Sequence, residues 1–520
     1  MFQTFNRREV IQSFAVSPLL AAAGATLTCR AFDPAGKPAG SAQLESLLLI
    51  NPDGRPFELL PQIKAEGVVT IGQPSQEFEL MMRLKVRDFG EVYLYADDVR
   101  GPEAILNYEF ARSRAAFVRR YVKAAQAAGV SFSAGLTKRL EAGEAALSRA
   151  TAAREIPERV RHSNDSLAET MWAGEMAALE RARHRIRRNG PRPGFLFGAN
   201  AFGYARSEEY SRQFTALLNY ATAPFYRATV EPTEGKLDYS RPQAILDKSA
   251  GTSLLVKGHP LLWMNRASVP DFLRKKSWEE VKTSCREYIL GSVSRFRSRI
   301  HAWDVINEAH DWANELKYDQ QQQVELTALA SQTTRIADPT AFRVVNNCCL
   351  WAEYVATRMS GAGKLDRPCR TPVEYLRAVR DARIDYEAVG LQIYCPGRDM
   401  LEIERHIERF AAFGKPLHIT ELGIPSANNQ DTVRTYAQRG NRIPYPIDAV
   451  WHGSEWSEQI QADWAEQFYT ICYSTPQVEA ITWWDFSDPG YMPNGGFITR
   501  DLRPKPVYQR LLNLIAEWRA

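Results

Sequence analysis

His301-Ala302-Trp303-Asp304-Val305-Ile306-Asn307-Glu308 and, further along the chain, Leu417-His418-Ile419-Thr420-Glu421-Leu422-Gly423 are both apolar runs that meet a glutamate at or near their C-terminal end. Such runs read as strands of a parallel sheet buried on both faces. In a closed parallel barrel the C-terminal ends of the strands form the face that carries chemistry. Each stretch therefore predicts a strand that delivers one carboxylate to that face.

Working outward, apolar strand-like runs alternate with longer helical patterns from Gly194 onward. The candidate strands are Phe195–Ala199, Tyr220–Tyr226, Ser253–Gly258, His301–Ile306, Phe342–Asn346, Ala388–Tyr394, Leu417–Thr420 and Ala480–Phe486. Eight strands with helices between them predict an α/β fold, a (β/α)8 TIM barrel over residues 191–520. An open doubly wound sheet competes, but no G-x-G-x-x-G follows the first strand, so no dinucleotide site is expected. Upstream, Asn189-Gly190-Pro191-Arg192-Pro193-Gly194 breaks the chain. Residues 101–190, rich in Ala, Arg and Glu, predict a helical segment. Pro102 is read as a first-turn residue, and Asn164-Asp165-Ser166 as the cap of the last helix. Arg181, Arg183, Arg185, Arg187 and Arg188 crowd the end of that helix, where cations are favoured. Residues 43–100 predict a small β-rich domain of about four strands, with alternation in Glu77–Leu80 and Glu91–Tyr95. Residues 30–42, with Gly36, Pro38 and Gly40, predict a linker.

The first 29 residues predict an export signal. Arg7-Arg8 precede an apolar stretch with small residues at 21–25. Asn6-Arg7-Arg8-Glu9-Val10-Ile11 resembles a twin-arginine signal, so the expected destination is periplasmic or extracellular. No other run is long enough to span a bilayer. Across 520 residues the net charge is +4, with no dominant basic run, so nucleic acid is not an implied partner. The seven cysteines show no C-x-x-C spacing, and the eight histidines no i,i+4 ligand pattern. Neither a metal nor another cofactor is expected. The 12 Trp and 21 Tyr are compatible with stacking platforms for sugars, and equally with a large core.

Two carboxylates on one barrel face suit hydrolysis of a glycosidic bond. In the retaining version they lie ~5–5.5 Å apart; one protonates the leaving oxygen and the other attacks the anomeric carbon. The expected partner is therefore a polysaccharide or oligosaccharide substrate. Two competing readings are the same chemistry on a different β-glycan and a non-catalytic carbohydrate-binding barrel.

Trp303-Asp304-Val305-Ile306-Asn307-Glu308 resembles the acid/base strand of glycoside hydrolase family 10, the endo-β-1,4-xylanase family. Lys257-Gly258-His259-Pro260-Leu261-Leu262-Trp263 resembles its third strand, Gly390-Leu391-Gln392 its sixth, and His418-Ile419-Thr420-Glu421-Leu422 its nucleophile strand. Ile481–Asp488 followed by Pro504–Tyr508 is similar to its closing segment. The resemblance implies Glu308 as acid/base and Glu421 as nucleophile. It also implies that His259, Trp263, Asn307, Gln392 and Trp484 line the substrate site. Several positions depart from the family pattern. Thr222, Ala223, Tyr226 and Arg227 stand where it has Glu, Asn, Lys and Trp, and Met264 replaces a histidine. Tyr394 and Gly423 replace a histidine and an aspartate that surround the nucleophile. Tyr394 is expected to donate directly to Glu421, which favours the ionised carboxylate. The segment 426–456, with Tyr445, Trp451 and Trp456, is expected to wall the cleft. The N-terminal β segment is read either as a carbohydrate-binding module or as an appendage that packs on the barrel. The absence of Trp from residues 45–100 favours the appendage.

Overall fold

The computed structural model describes residues 26–97, 99, 101–360, 363–427, 451–453 and 455–519. Most of the expected export signal, and Tyr445, lie outside these residues.

In the N-terminal region, residues 43–100, expected to hold about four strands, hold five among the described residues, β2 (Leu48–Ile50), β3 (Gln62–Ala65), β4 (Val68–Gly72), β5 (Glu79–Val86) and β6 (Gly90–Ala96), and β1 (Thr26–Arg30) and β7 (Glu103–Ile105) flank them. They form two sheets, ordered β3-β4-β1-β7 and β2-β5-β6. Helices α1 (Ser41–Leu44), α2 (Leu106–Ala127), α3 (Ala134–Ala152) and α4 (Ile156–Asn189) complete the region. Leu27, Val69, Leu80, Met82, Phe110, Leu167 and Met171 share one core between sheets and helices.

Four boundaries differ from the sequence reading. The boundary expected between signal and linker at residues 29 and 30 falls inside β1, which pairs with β4 and β7 and buries Leu27 and Cys29. The expected linker 30–42 buries Ala31 and Ala39, and Phe32 bridges Pro38. Pro102 precedes a strand, not a helix, because β7 finds an edge on β1. Asn164 lies inside α4, where it is buried, accepts from Asn107 Nδ2 at 2.8 Å and donates to the Asp33 carbonyl at 2.9 Å. Tertiary partners decided all four cases, and local composition does not report them.

The barrel strands are β8 (Leu196–Asn200), β9 (Tyr220–Pro224), β10 (Leu255–His259), β12 (Ala302–Asn307), β13 (Phe342–Asn347), β16 (Ala388–Tyr394), β17 (Leu417–Gly423) and β18 (Val478–Trp483). A short β11 (Leu262–Trp263) extends the edge of β12, and β14 (Met359–Ser360) with β15 (Gly363–Lys364) forms a hairpin outside the barrel. All barrel pairings are parallel, and β18 pairs with β8 to close the ring. All eight expected strands exist, with ends shifted by up to three residues.

Three local irregularities aim side chains at the mouth. Register shifts occur between Asp304 and Ile306, between Leu391 and Gln392, and between Ile419 and Leu422. Bulges of this kind redirect the residues that follow them. Glu308 itself sits at φ 55°, and its N–H donates to the Asn346 carbonyl at 2.9 Å.

Gly258 on β10 has a packing reason. A Cβ there would lie 2.2 Å from the buried ring of Trp303. Gly258→Ala is expected to destabilise the barrel by about 1–3 kcal/mol, as overpacking does. Thermal denaturation checks this; a melting temperature equal to the parent's would refute it.

Candidate active site

Glu308 directly follows β12, and its side chain is almost fully buried. Trp263 Nε1, from β11, donates to Oε2 at 2.9 Å, and Gln392 Nε2, from β16, donates to Oε1 at 3.0 Å. Glu421, on β17, is equally buried. Tyr394 Oη donates to its Oε2 at 2.9 Å, and Asn346 Nδ2 to its Oε1 at 3.1 Å. Asn307 Oδ1 links the two halves, accepting from Gln392 at 3.2 Å and from Asn346 at 2.7 Å. A continuous hydrogen-bonded set thus runs from one glutamate to the other.

Behind this set lies a buried charge network. Lys257 Nζ is 2.8 Å and His259 Nδ1 2.7 Å from Asp304 Oδ2, and all three residues are essentially inaccessible to solvent. His259 Nε2 lies 3.8 Å from Glu421 Oε1. Burial lowers the pKa of His259, and the Asp304 carboxylate opposes that shift.

Both glutamates are held well above the usual carboxylate range. Burial is the first cause for each, and for Glu421 the charge of Glu308 is the second. The donors on each carboxylate oppose the rise. Two mutually repelling carboxyls in a desolvated site titrate as a unit and share one proton near neutral pH. The arrangement can therefore supply one proton donor and one anion side by side.

The structure brings together all eight sequence-predicted residues: His259, Trp263, Asn307, Glu308, Gln392, Tyr394, Glu421 and Trp484. Trp484 meets His259 edge-on at 5.1 Å and Phe202 at 5.8 Å. The departures from the family pattern separate into two sets. Arg227 points away from the mouth, bonded to Glu231 at 2.8 Å and to Ser284 at 2.7 Å, and Thr222 and Ala223 are fully buried. Tyr226 faces the site: its ring packs near His259 and Trp263, and Glu421 and Glu308 are the charges next to its hydroxyl. Trp451, expected to wall the cleft, is instead buried, and its backbone bridges Gly90 of the N-terminal region.

Asn346 is the functional residue missing from the sequence reading. Its signal was present as Asn346-Asn347, a polar pair at the end of the fifth apolar barrel strand. Thr420 Oγ1 donates to Asn346 Oδ1 and fixes which end of the amide faces Glu421. A Cβ at Gly390 would sit 2.6 Å from that same Asn346 oxygen.

Residues 205–513 match the sequence model of glycosyl hydrolase family 10. The chain belongs to glycosyl hydrolase family 10. It is therefore a glycoside hydrolase, and its closed barrel is the barrel of that family. Among curated relatives it is 22% identical over 343 residues to endo-1,4-beta-xylanase B of Thermotoga neapolitana, covering 62% of this chain and 88% of that protein. It is 28% identical over 255 residues to endo-1,4-beta-xylanase C of Paenibacillus barcinonensis, covering 43% of this chain and 22% of the relative. The solved native xylanase 10B from Thermotoga maritima shares 20% identity, with a TM-score of 0.48 over 65% of this chain and 99% of that one. The match to the Paenibacillus enzyme thus spans only a fraction of a longer protein.

The raised pKa of Glu421 makes a stability prediction. A carboxyl raised above its unfolded value contributes stability that is complete below about 4.5 and is lost as pH rises through its folded value. Glu421→Gln removes that loss. The melting temperature of Glu421→Gln relative to the parent is expected to rise between pH 5 and pH 8.5. A constant difference across that range would contradict the burial argument.

Proposed function

We propose that this family 10 member is a retaining endo-acting hydrolase of β-1,4-linked xylan or a closely related plant polysaccharide. Glu308 serves as acid/base and Glu421 as nucleophile. The observation that carries this reading is the joined hydrogen-bonded set that holds two carboxyls at one barrel mouth. Both curated relatives described above are named endo-1,4-beta-xylanases.

The sequence of events follows from the side chains present. Glu308 carries the shared proton and delivers it to the leaving glycosidic oxygen. Glu421, whose anionic form the Tyr394 phenol and the Asn346 amide favour, attacks the anomeric carbon once ionised and forms a covalent glycosyl-enzyme. Glu308, now ionised, deprotonates the water that hydrolyses this intermediate, and two displacements preserve the anomeric configuration. The indole of Trp263 and the amide of Gln392 hold the Glu308 carboxylate in place through both steps. His259, Asn307 and Trp484 line the sugar site. Export remains part of the proposal, with signal cleavage upstream of Thr26, because β1 must survive to pair with β4 and β7.

Product analysis on xylan, mixed-linkage glucan and mannan tests the substrate. Following the first product by NMR tests the mechanism, since an inverted anomer refutes double displacement. Glu308→Ala is expected to lower kcat on polysaccharide by about 10²–10⁴-fold, the usual range for a general acid. The loss should be much smaller in the glycosylation step of an aryl glycoside whose leaving group needs no proton.

Gly423→Ala probes the nucleophile's surroundings. A Cβ at position 423 would lie 2.9–3.0 Å from the Tyr394 ring. The substitution is expected to push the phenol off Glu421 and lower kcat by about tenfold, in the range of one lost charge-assisted hydrogen bond. An unchanged kcat in a folded Gly423→Ala would show that the Tyr394 contact is dispensable.

A further inference from the structure

The loop that follows Tyr394 is gripped at three consecutive residues by the N-terminal region. The Gly397 carbonyl accepts from the Tyr93 N–H at 2.9 Å, on strand β6. The buried guanidinium of Arg398 lies 4.0 Å from the Tyr93 ring centre and donates to Tyr95 Oη at 3.2 Å. Asp399 pairs with Arg114 of α2 at 2.6 Å, and both residues are buried. The same Arg398 reaches the loop after β13, bonding Glu353 at 2.6 Å and packing 4.6 Å from the Trp351 ring centre.

These two loops leave the strands that carry the two hydrogen-bond donors to Glu421. Tyr394 is three residues before Gly397. Between them Cys395 adopts φ 37° and donates its N–H to the Gly423 carbonyl at 3.1 Å. Asn346 is five residues before Trp351. Further contacts hold the same side of the barrel: Arg181 and Arg185 of α4 reach Glu404 on the helix Met400–Ala411, at 3.3 and 3.4 Å. A buried ion pair is rigid and is costly to break from one side. The N-terminal region therefore grips the barrel where backbone position is transmitted to the nucleophile's donors.

We propose that the N-terminal region is a positioning element of the catalytic face: its grip on Gly397, Arg398 and Asp399 fixes Tyr394 against Glu421. Arg398 is a positioning residue, since it acts through Tyr394 and touches neither glutamate. The inference rests on the hydrolase reading only for its kinetic test. Among the described residues, the titratable groups facing Glu421 are Glu308, Tyr394, Tyr226, His259 and Cys348, with Lys257 and Asp304 behind them. Of these, Tyr394 alone is followed directly by the gripped loop.

Two full-length variants test the proposal. Tyr93→Leu removes the ring beside Arg398 without changing any charge, and Arg398→Met removes the guanidinium. Each is expected to lower kcat/KM on the best-cleaved β-glycan by about 5- to 10-fold, no more than loss of the phenol contact itself and within the span of coupling energies between contacting residues. Each should also move the acidic limb of the kcat/KM profile upward, because a carboxylate that loses a donor ionises at higher pH. In a Tyr394→Phe background both variants should change kcat/KM by less than about threefold, since coupled groups are not additive. Multiplying effects, or a lower melting temperature with an unmoved pH profile, would overturn the proposal and leave the hydrolase reading intact. If the parent cleaves none of xylan, mixed-linkage glucan and mannan, that reading fails. Hydrogen exchange then decides the proposal alone. Faster exchange in peptides covering 391–399 of Tyr93→Leu, with β8–β10 unchanged, supports it, and unchanged exchange in 391–399 overturns it.

Discussion

Two carboxyl groups that repel each other must be kept side by side in a place almost closed to water, and the rest of the barrel mouth is arranged around that constraint. Among the described residues, no lysine or arginine pairs with Glu308 or Glu421. Lys257 is committed to Asp304 one layer below. The described residues give each glutamate neutral donors instead, among them an indole and an amide on one and a phenol and an amide on the other. Neutral donors hold a carboxylate in place without fixing its charge, so one proton can pass between roles during a double displacement. A lysine or arginine at the same distance would hold its glutamate ionised throughout the cycle.

The phenol on Glu421 has its own requirement. The Tyr394 ring fits only because position 423 has no side chain. The two departures from the family pattern are therefore one change, linked by van der Waals contact. The ring is held from behind as well, where Cys395 bonds the Gly423 backbone and the N-terminal region fixes the next loop. That region is thus packed onto the barrel, through buried ion pairs and aromatic contacts that hold the catalytic face as it holds them.

Much of the fold was legible in the chain. Runs such as Phe195–Ala199 and Ala388–Leu391 have no polar side to turn outward, so they mark strands buried on both faces, and eight strand-like runs between helical patterns leave few architectures. The candidate site was legible for a related reason. Glu308 and Glu421 each sit at or near the C-terminal end of such a run, where side chains converge, and Gln392 was legible only through the family resemblance. Asn346 also ends an apolar run, but it is neutral and, unlike Asn307 and Gln392, lies in no stretch that carries the family resemblance. Strands β1 and β7 lie outside the stretch that reads as β, because they take their order from edges that distant segments provide.

The sequence alone determined that this chain builds a parallel barrel with a carboxylate at the ends of its fourth and seventh strands, because hydrophobic periodicity and strand polarity are local properties. Only the tertiary structure decided what those carboxylates meet. Tyr394 reaches Glu421 because Gly423 lies beneath its ring, Arg227 turns away while Tyr226 turns in, and a region that begins at Thr26 grips a loop at Gly397. Each of these depends on residues far apart in the chain becoming neighbours, and no pattern along the chain encodes a distance across it.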